Sequence, residues 1–258
     1  LPTLRLLLQS VSGEHGLTLR YLAELNQPQT VQAFRNSIVL SALSAAVGLI
    51  VGALVAYFML RPQAPAGLRS LITSFSAVAA NFAGVPLAFA FIATLGGLGT
   101  ITVWLKAIGI DLYGGGFSLY SISGLVLVYA YFQIPLMIIV IVPAIEGLRR
   151  EWREAAQSLG AGGWAYWRHV GLPILLPSLL SAYLLLFGNA FSAYATPYAL
   201  TSGNVGLVPI EISNVLSGNV MLEPQVGAAL AVGMIVVMVG VMLLYAWVAR
   251  RASRWSGR

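Results

Sequence analysis

Eight carboxylates, fourteen lysines and arginines and two histidines carry the ionisable chemistry of this 258-residue chain, and cysteine is absent. His15 and His169 lie far apart and match no metal-ligand spacing, and without cysteine there is neither a disulfide nor a thiolate site. No His, Asp or Glu falls inside a long apolar run, so a nucleophile–base pair or proton relay at membrane depth has no residues to work with. The one lysine, Lys106, sits in Trp-Leu-Lys-Ala-Ile-Gly, away from any glycine-rich phosphate cradle, which excludes a P-loop ATPase. What remains is one long polar island, 146–177. It packs Arg149, Arg150, Glu151, Arg153 and Glu154 together, then Ala155 and Ala156, a glycine-broken turn at Gly160, and a basic, aromatic segment running to Val170, Leu172 and Pro173. Charges of both signs beside small side chains suit docking to a partner, not bond making.

The elements around this island are apolar. The chain is 59% hydrophobic and 9% charged, where a soluble domain carries about 25% charged residues. Apolar runs of about 20 residues, without alternation, predict membrane-spanning helices and not a barrel. The fold class expected is therefore all-α integral membrane, one domain over 1–258, with five spans at about 37–60, 71–95, 120–145, 172–200 and 226–248. Ser44, Gly48, Gly52 and Ala56 recur every four residues, a stripe suited to close helix packing in lipid. Five polar residues inside spans, Asn81, Gln133, Asn189, Ser192 and Tyr194, either line a translocation path or make interhelical hydrogen bonds. The net charge of +6 comes from arginines at span ends and does not indicate nucleic-acid binding. Ten of the basic residues (Arg61, Arg69, Arg149, Arg150, Arg153, Arg168, Arg250, Arg251, Arg254 and Arg258) fall on one side of this layout, which predicts a cytoplasmic island and C-terminus.

The island itself is expected to fold as two short helices. Positions 149–159 contain good helix formers and no Gly or Pro. Gly160 then fits a left-handed helix end. A second helix is expected over about 163–170, with Pro173 opening the next span. Within this segment Glu154-Ala155-Ala156, three residues, Gly160, nine residues, Val170, one residue and Leu172-Pro173 resemble the EAA signature of permease subunits in binding-protein-dependent type I ABC importers, with Val170 standing for Ile. The resemblance covers the span layout from about Phe34 onward.

The resemblance implies a specific arrangement. The loop 146–170 would be the coupling element, with Glu154, Ala155, Ala156, Gly160, Val170, Leu172 and Pro173 seated in a groove of a separate ATPase dimer that binds ATP and Mg. No cofactor is expected in this chain, and it is not expected to be an enzyme. The expected partners are a second permease chain, as a heterodimer, an extracytoplasmic substrate-binding protein and membrane lipid, with no nucleic acid. The expected location is a bacterial inner membrane. The family layout also implies a further helix before Leu1. The stretch 190–220 is most similar to permeases for polyamines, ferric iron, thiamine or aminophosphonates, so a polyamine is the first expectation, with Glu211 and Glu223 as outer acidic groups; sugars are a further alternative. An ion-coupled secondary transporter is the rival class, but the spans lack the ionisable residues and the repeated halves expected of one.

Overall fold

The computed structural model describes residues 8, 10, 12–13, 16–18, 20–61, 63–65, 67–217 and 224–256. Ser12–Gly13 (β1) and Gly16–Leu17 (β2) form a minimal antiparallel pair; everything else regular is helical. In order, the helices used below are α1 (Pro28–Met59), α2 (Leu68–Ala79), α3 (Val85–Leu95), α4 (Thr100–Ala107), α5 (Ile122–Glu146), α6 (Arg150–Ser158), α7 (Gly163–Tyr166), α8 (Leu172–Ser192), α9 (Ala195–Thr201), α10 (Val208–Leu216) and α11 (Pro224–Ser256). Five helical stretches among the described residues are long and apolar enough to cross a membrane: Pro28–Met59, Val85–Ala107, Ile122–Glu146, Gly163–Ser192 and Gln225–Val248. The chain is an all-α integral membrane protein.

Several element boundaries differ from expectation. The first span begins at Pro28, not near 37, because Pro28 is pre-set for a first helical position and the Val31 N–H bonds to the Gln27 carbonyl at 2.9 Å. Of the segment 17–35, whose polarity predicts a position outside the bilayer, residues 28–35 are thus the first turns of this helix. The expected 71–95 span is broken into α2 and α3. Pro86 cannot donate and so is best tolerated in the first turn of a helix, which is where it stands in α3, a helix that starts directly after Gly84. The freed backbone of Gly84 finds a side chain instead: its N–H donates to Thr196 Oγ1 at 2.7 Å, and the Thr196 hydroxyl donates back to the Gly84 carbonyl at 3.3 Å. The expected 172–200 span likewise ends at Ser192, and α9 restarts at Ala195, with Pro197 unable to continue the ladder. The loop expected after it contains α10, whose first N–H, on Val208, donates to the buried Ser37 hydroxyl of α1 at 2.9 Å. Glu223 and Arg258 lie outside the described residues.

The chain packs as two compact units: Leu1–Leu43, Ala83–Val128 and Gly188–Gly240 in the first, and Ser44–Phe82, Tyr129–Phe187 and Val241–Arg258 in the second. In the first, Ala33, Val208, Val215 and Leu230 form a buried cluster flanked by Phe34 and Ile212. In the second, α5 supplies the core, with Tyr129, Phe132, Gln133, Met137 and Ile141 buried. The small-residue stripe on α1 faces it. A Cβ on Gly48 would lie 2.8 Å from Gln133 Cβ, and one on Gly52 would lie 2.6 Å from Met137 Cβ and 2.9 Å from the Ile134 carbonyl oxygen. Only glycine lets the two backbones come this close.

Candidate coupling site

The polar island folds as a hairpin whose geometry is set almost entirely by its own sequence. α6 opens at Arg149, in extended conformation, with Glu151 in its first turn, where the helix dipole favours an acid. Arg150 and Glu154 pair at 3.1 Å one turn apart, and the Arg149 guanidinium lies 5.8 Å from the Trp152 ring centroid. The helix ends as the sequence predicts. Gly160 has φ +77°, its N–H reaches the Gln157 carbonyl, and the Ala161 N–H reaches the Ala156 carbonyl, both at 2.9 Å. These two bonds form a Schellman turn, which ties off the last carbonyls and reverses the chain.

No residue of α6 is buried. Glu154 and Ala155 are exposed, Ala156 is half-buried, and Leu159 just beyond is 89% exposed. Trp164 is 76% exposed. Two large apolar side chains and an alanine step thus stand in the open beside a carboxylate. Within the same unit, Arg150, Arg153, Glu154 and Gln157 line a cleft of about 900 Å³ together with Arg61, Gln63 and Leu68 from the segment after α1.

The second half of the hairpin differs from expectation. No separate helix ends at Val170. α7 continues through a wide turn at Trp167–Gly171, where the Leu172 N–H bonds to the Trp167 carbonyl five residues back, and runs directly into α8. Pro173 is therefore inside a continuous helical stretch and does not open it. The π-type turn lets the helix absorb the donor that Pro173 lacks. It also folds the Trp167 ring over Gly171, where a Cβ would sit 2.7 Å from a ring carbon. Trp167 stacks edge-on to Tyr57 with centroids 5.0 Å apart, and Arg61 donates to the Tyr57 hydroxyl at 3.1 Å while lying 4.6 Å above its ring. Arg69 pairs with Glu146 at 2.6 Å, joining α2 to the end of α5. Val170 thus lies within this wide turn and Leu172 directly after it, on the opposite arm of the hairpin from Glu154, Ala155 and Ala156. The expectation missed Tyr57, Arg61 and Trp167 as partners; their aromatic and basic types are visible in sequence, but their pairing is not.

The residues expected along a path separate into different situations. Asn81 lies in the break after α2, exposed, and donates to the Ala77 carbonyl at 2.9 Å, so it is not inside a span. Gln133 is fully buried and its Nε2 donates to the Leu186 carbonyl of α8 at 2.9 Å; its Oε1 has no partner. Asn189 and Ser192 are exposed near the end of α8, and the Ser192 hydroxyl bonds back to the Gly188 carbonyl. Tyr194 accepts a hydrogen bond from Ser213 at 2.9 Å and stacks on Tyr198 with centroids 5.2 Å apart. Asn189, Ser192, Tyr194, Tyr198 and Ser213 belong to the first unit, and Asn81 and Gln133 to the second. Among the described residues, no three His, Cys, Asp or Glu side chains come close enough to hold a metal.

Residues 48–254 match the family described as binding-protein-dependent transport system inner membrane components. The chain belongs to that family. It is a permease subunit of a type I ABC importer, and the hairpin lies well inside the matched region. One relative, the probable sulfate transport system permease protein cysT of Nephroselmis olivacea, is 24% identical over 97% of this permease and 85% of its own length. A spermidine/putrescine permease homolog, PotC of Mycoplasma pneumoniae, is 36% identical over 34% of this chain and 30% of its own. A bacterial ABC transporter chain involved in alginate import shares the fold, with a TM-score of 0.75 at 20% identity over 97% of this chain and 88% of that one.

Proposed function

We propose that the Arg150–Ala161 hairpin of this permease is the element that receives motion from a separate ATPase subunit. The observation that carries this reading is the Schellman-locked turn beside exposed Ala155, Leu159 and Trp164: a stiff lever with an uncovered apolar tip. Glu154 and Ala156 would meet the ATPase groove, with ATP and Mg bound there. Val170, Leu172 and Pro173 would pass the motion into α8 through an unbroken helix. In this reading the hairpin is cytoplasmic in an inner membrane, as the arginine distribution suggests. An extracytoplasmic binding protein delivers the solute, and a second, different permease chain completes the path. Such coupling requires a contact energy that differs between the transporter's states. The test is Glu154→Lys in the assembled transporter. Transport and ligand-stimulated ATP hydrolysis should fall together at least about tenfold while assembly persists, since reversing a charge at a docked contact costs on the order of a few kcal/mol. Unchanged coupling in an assembled variant would refute the assignment.

For the solute, we infer a small oxyanion of the sulfate class, supported by the relative that aligns along almost the whole chain. Asn189, Ser192 and Tyr194, neutral hydrogen-bonding groups, are the path contacts in this reading. A polyamine is the second reading. It is favoured by a cleft of about 820 Å³ in the first unit, lined by Gln29, Gln32, Asn36, Asn204 and Glu211 without a basic side chain. Thermal stabilisation of the partner binding protein by sulfate or by spermidine separates the two.

A further inference from the structure

Two cavities of the second unit share three residues. One, of about 240 Å³, is lined by the guanidinium-bearing side chains of Arg61, Arg149, Arg150 and Arg153, and no carboxylate lines it. Among the described residues, only Arg150 of these four has a carboxylate within ion-pair distance, Glu154. The other, of about 540 Å³, is an apolar groove whose walls include Leu49, Leu54, Ile141, Trp164, Leu172 and Leu179. Tyr57, Ile145 and Trp167 line both. An apolar groove on helices of membrane-spanning length therefore adjoins a basic pocket.

We propose that this composite site binds an anionic phospholipid. The phosphate would sit among Arg61, Arg149 and Arg153, and an acyl chain would lie in the groove between α1 and α8. Charge complementarity selects this occupant: an apolar helix would fill the groove but leave three exposed guanidinium groups without a carboxylate beside its end, and a zwitterionic lipid would bring its phosphate together with a quaternary ammonium that they repel, whereas an anionic lipid supplies phosphate oxygens that accept from them and a net negative charge. Basic pockets at the polar edge of transmembrane helices bind acidic headgroups for this reason. Tyr57 and Trp167 are amphipathic aromatics that fit the boundary between the two chemistries. Because the pocket borrows three side chains from the hairpin, the bound lipid would brace the base of the lever against α1. This goes beyond the coupling proposal and does not depend on it, since lipid retention is read without nucleotide.

The test is native mass spectrometry of the assembled transporter after exposure to an equal mixture of phosphatidylglycerol and phosphatidylcholine. The wild-type complex should retain phosphatidylglycerol in excess by roughly tenfold or more, and R61Q/R149Q/R153Q should reduce that excess to near parity, since each arginine near a lipid surface contributes about fivefold. Ala53 also lines the groove, and Ala53→Trp, which fills it and leaves the arginines alone, should lower retention of both lipids. Equal retention by the wild type, or wild-type retention by either variant, overturns the proposal. Should the triple variant fail to assemble, the wild-type preference and Ala53→Trp still decide it. A photoreactive side chain at Leu54 that crosslinks to a protein chain instead of lipid would make the groove a subunit interface and also overturn it.

Discussion

The part of α5 from Tyr129 onward and the hairpin after it are covalent neighbours in one compact unit, yet they are held in shape by opposite means. α5 is specified from outside: Tyr129, Gln133, Met137 and Ile141 are buried, and its contact with α1 exists because Gly48 and Gly52 have no side chains. α6 buries nothing, and its shape comes from backbone bonds within thirteen residues, 149–161, closed by one left-handed glycine. The proposed coupling role would benefit from this arrangement. Stiffness that is local would let the hairpin move without unpacking from a core, and would leave its surface free for a partner.

The largest break of this contrast is on the packed side. Gly52→Val would drive a Cβ to 2.6 Å from Met137 and 2.9 Å from the Ile134 carbonyl oxygen, a clash with backbone that cannot rotate away. The expected outcome is loss of several kcal/mol, on the order of the worst overpacking substitutions, seen as failure to recover folded transporter from membranes. On the local side, Gly160→Pro removes the N–H that reaches Gln157 and forbids φ +77°. The helical bundle should still insert and melt near the wild-type temperature, while transport and stimulated ATP hydrolysis fall together. Loss of insertion as well would show that the hairpin is not an independent element.

The same contrast explains what was legible in the sequence. The hairpin's first half was readable because its determinants are adjacent in sequence: helix formers, then Gly160 at the helix end. The number of membrane-length stretches was readable from apolar composition. The breaks at Gly84 and Ala193 were not, because whether Pro86 and Pro197 kink or stop a helix depends on distant donors such as Thr196. The continuity of α7 into α8 was missed for a related reason: Pro173 looks like a helix start, and only the Trp167 ring over Gly171 shows that the turn widens to admit it. Among the polar residues in spans, burial sorts them. Gln133 is locked to Leu186, whereas Asn189 and Ser192 are exposed.

A smaller effect sharpens that sorting. Gln133→Leu removes one interhelical hydrogen bond and also a buried carbonyl oxygen that has no partner. Interhelical bonds in membranes average about 0.6 kcal/mol, so the net change in thermal stability should be slight. Transport should keep its apparent solute affinity, because the amide is fully covered. A changed affinity with unchanged stability would move Gln133 from packing to the path.

The smallest expected effect bears most directly on the lever. The Arg150–Glu154 pair places the cation first, the weaker order along a helix, and its side chains are 89% and 61% exposed. Exposed pairs of this kind contribute about 0.5 kcal/mol or less, and salt screens them. Arg150→Gln should therefore leave melting of the assembled transporter unchanged within about 0.5 kcal/mol, with no added salt dependence. If it instead cost more than about 1 kcal/mol, the hairpin's stiffness would lie in its side chains. Its shape would then depend on ionic conditions at the membrane surface, and a turn closed by backbone bonds alone would not be what keeps α6 rigid without burial.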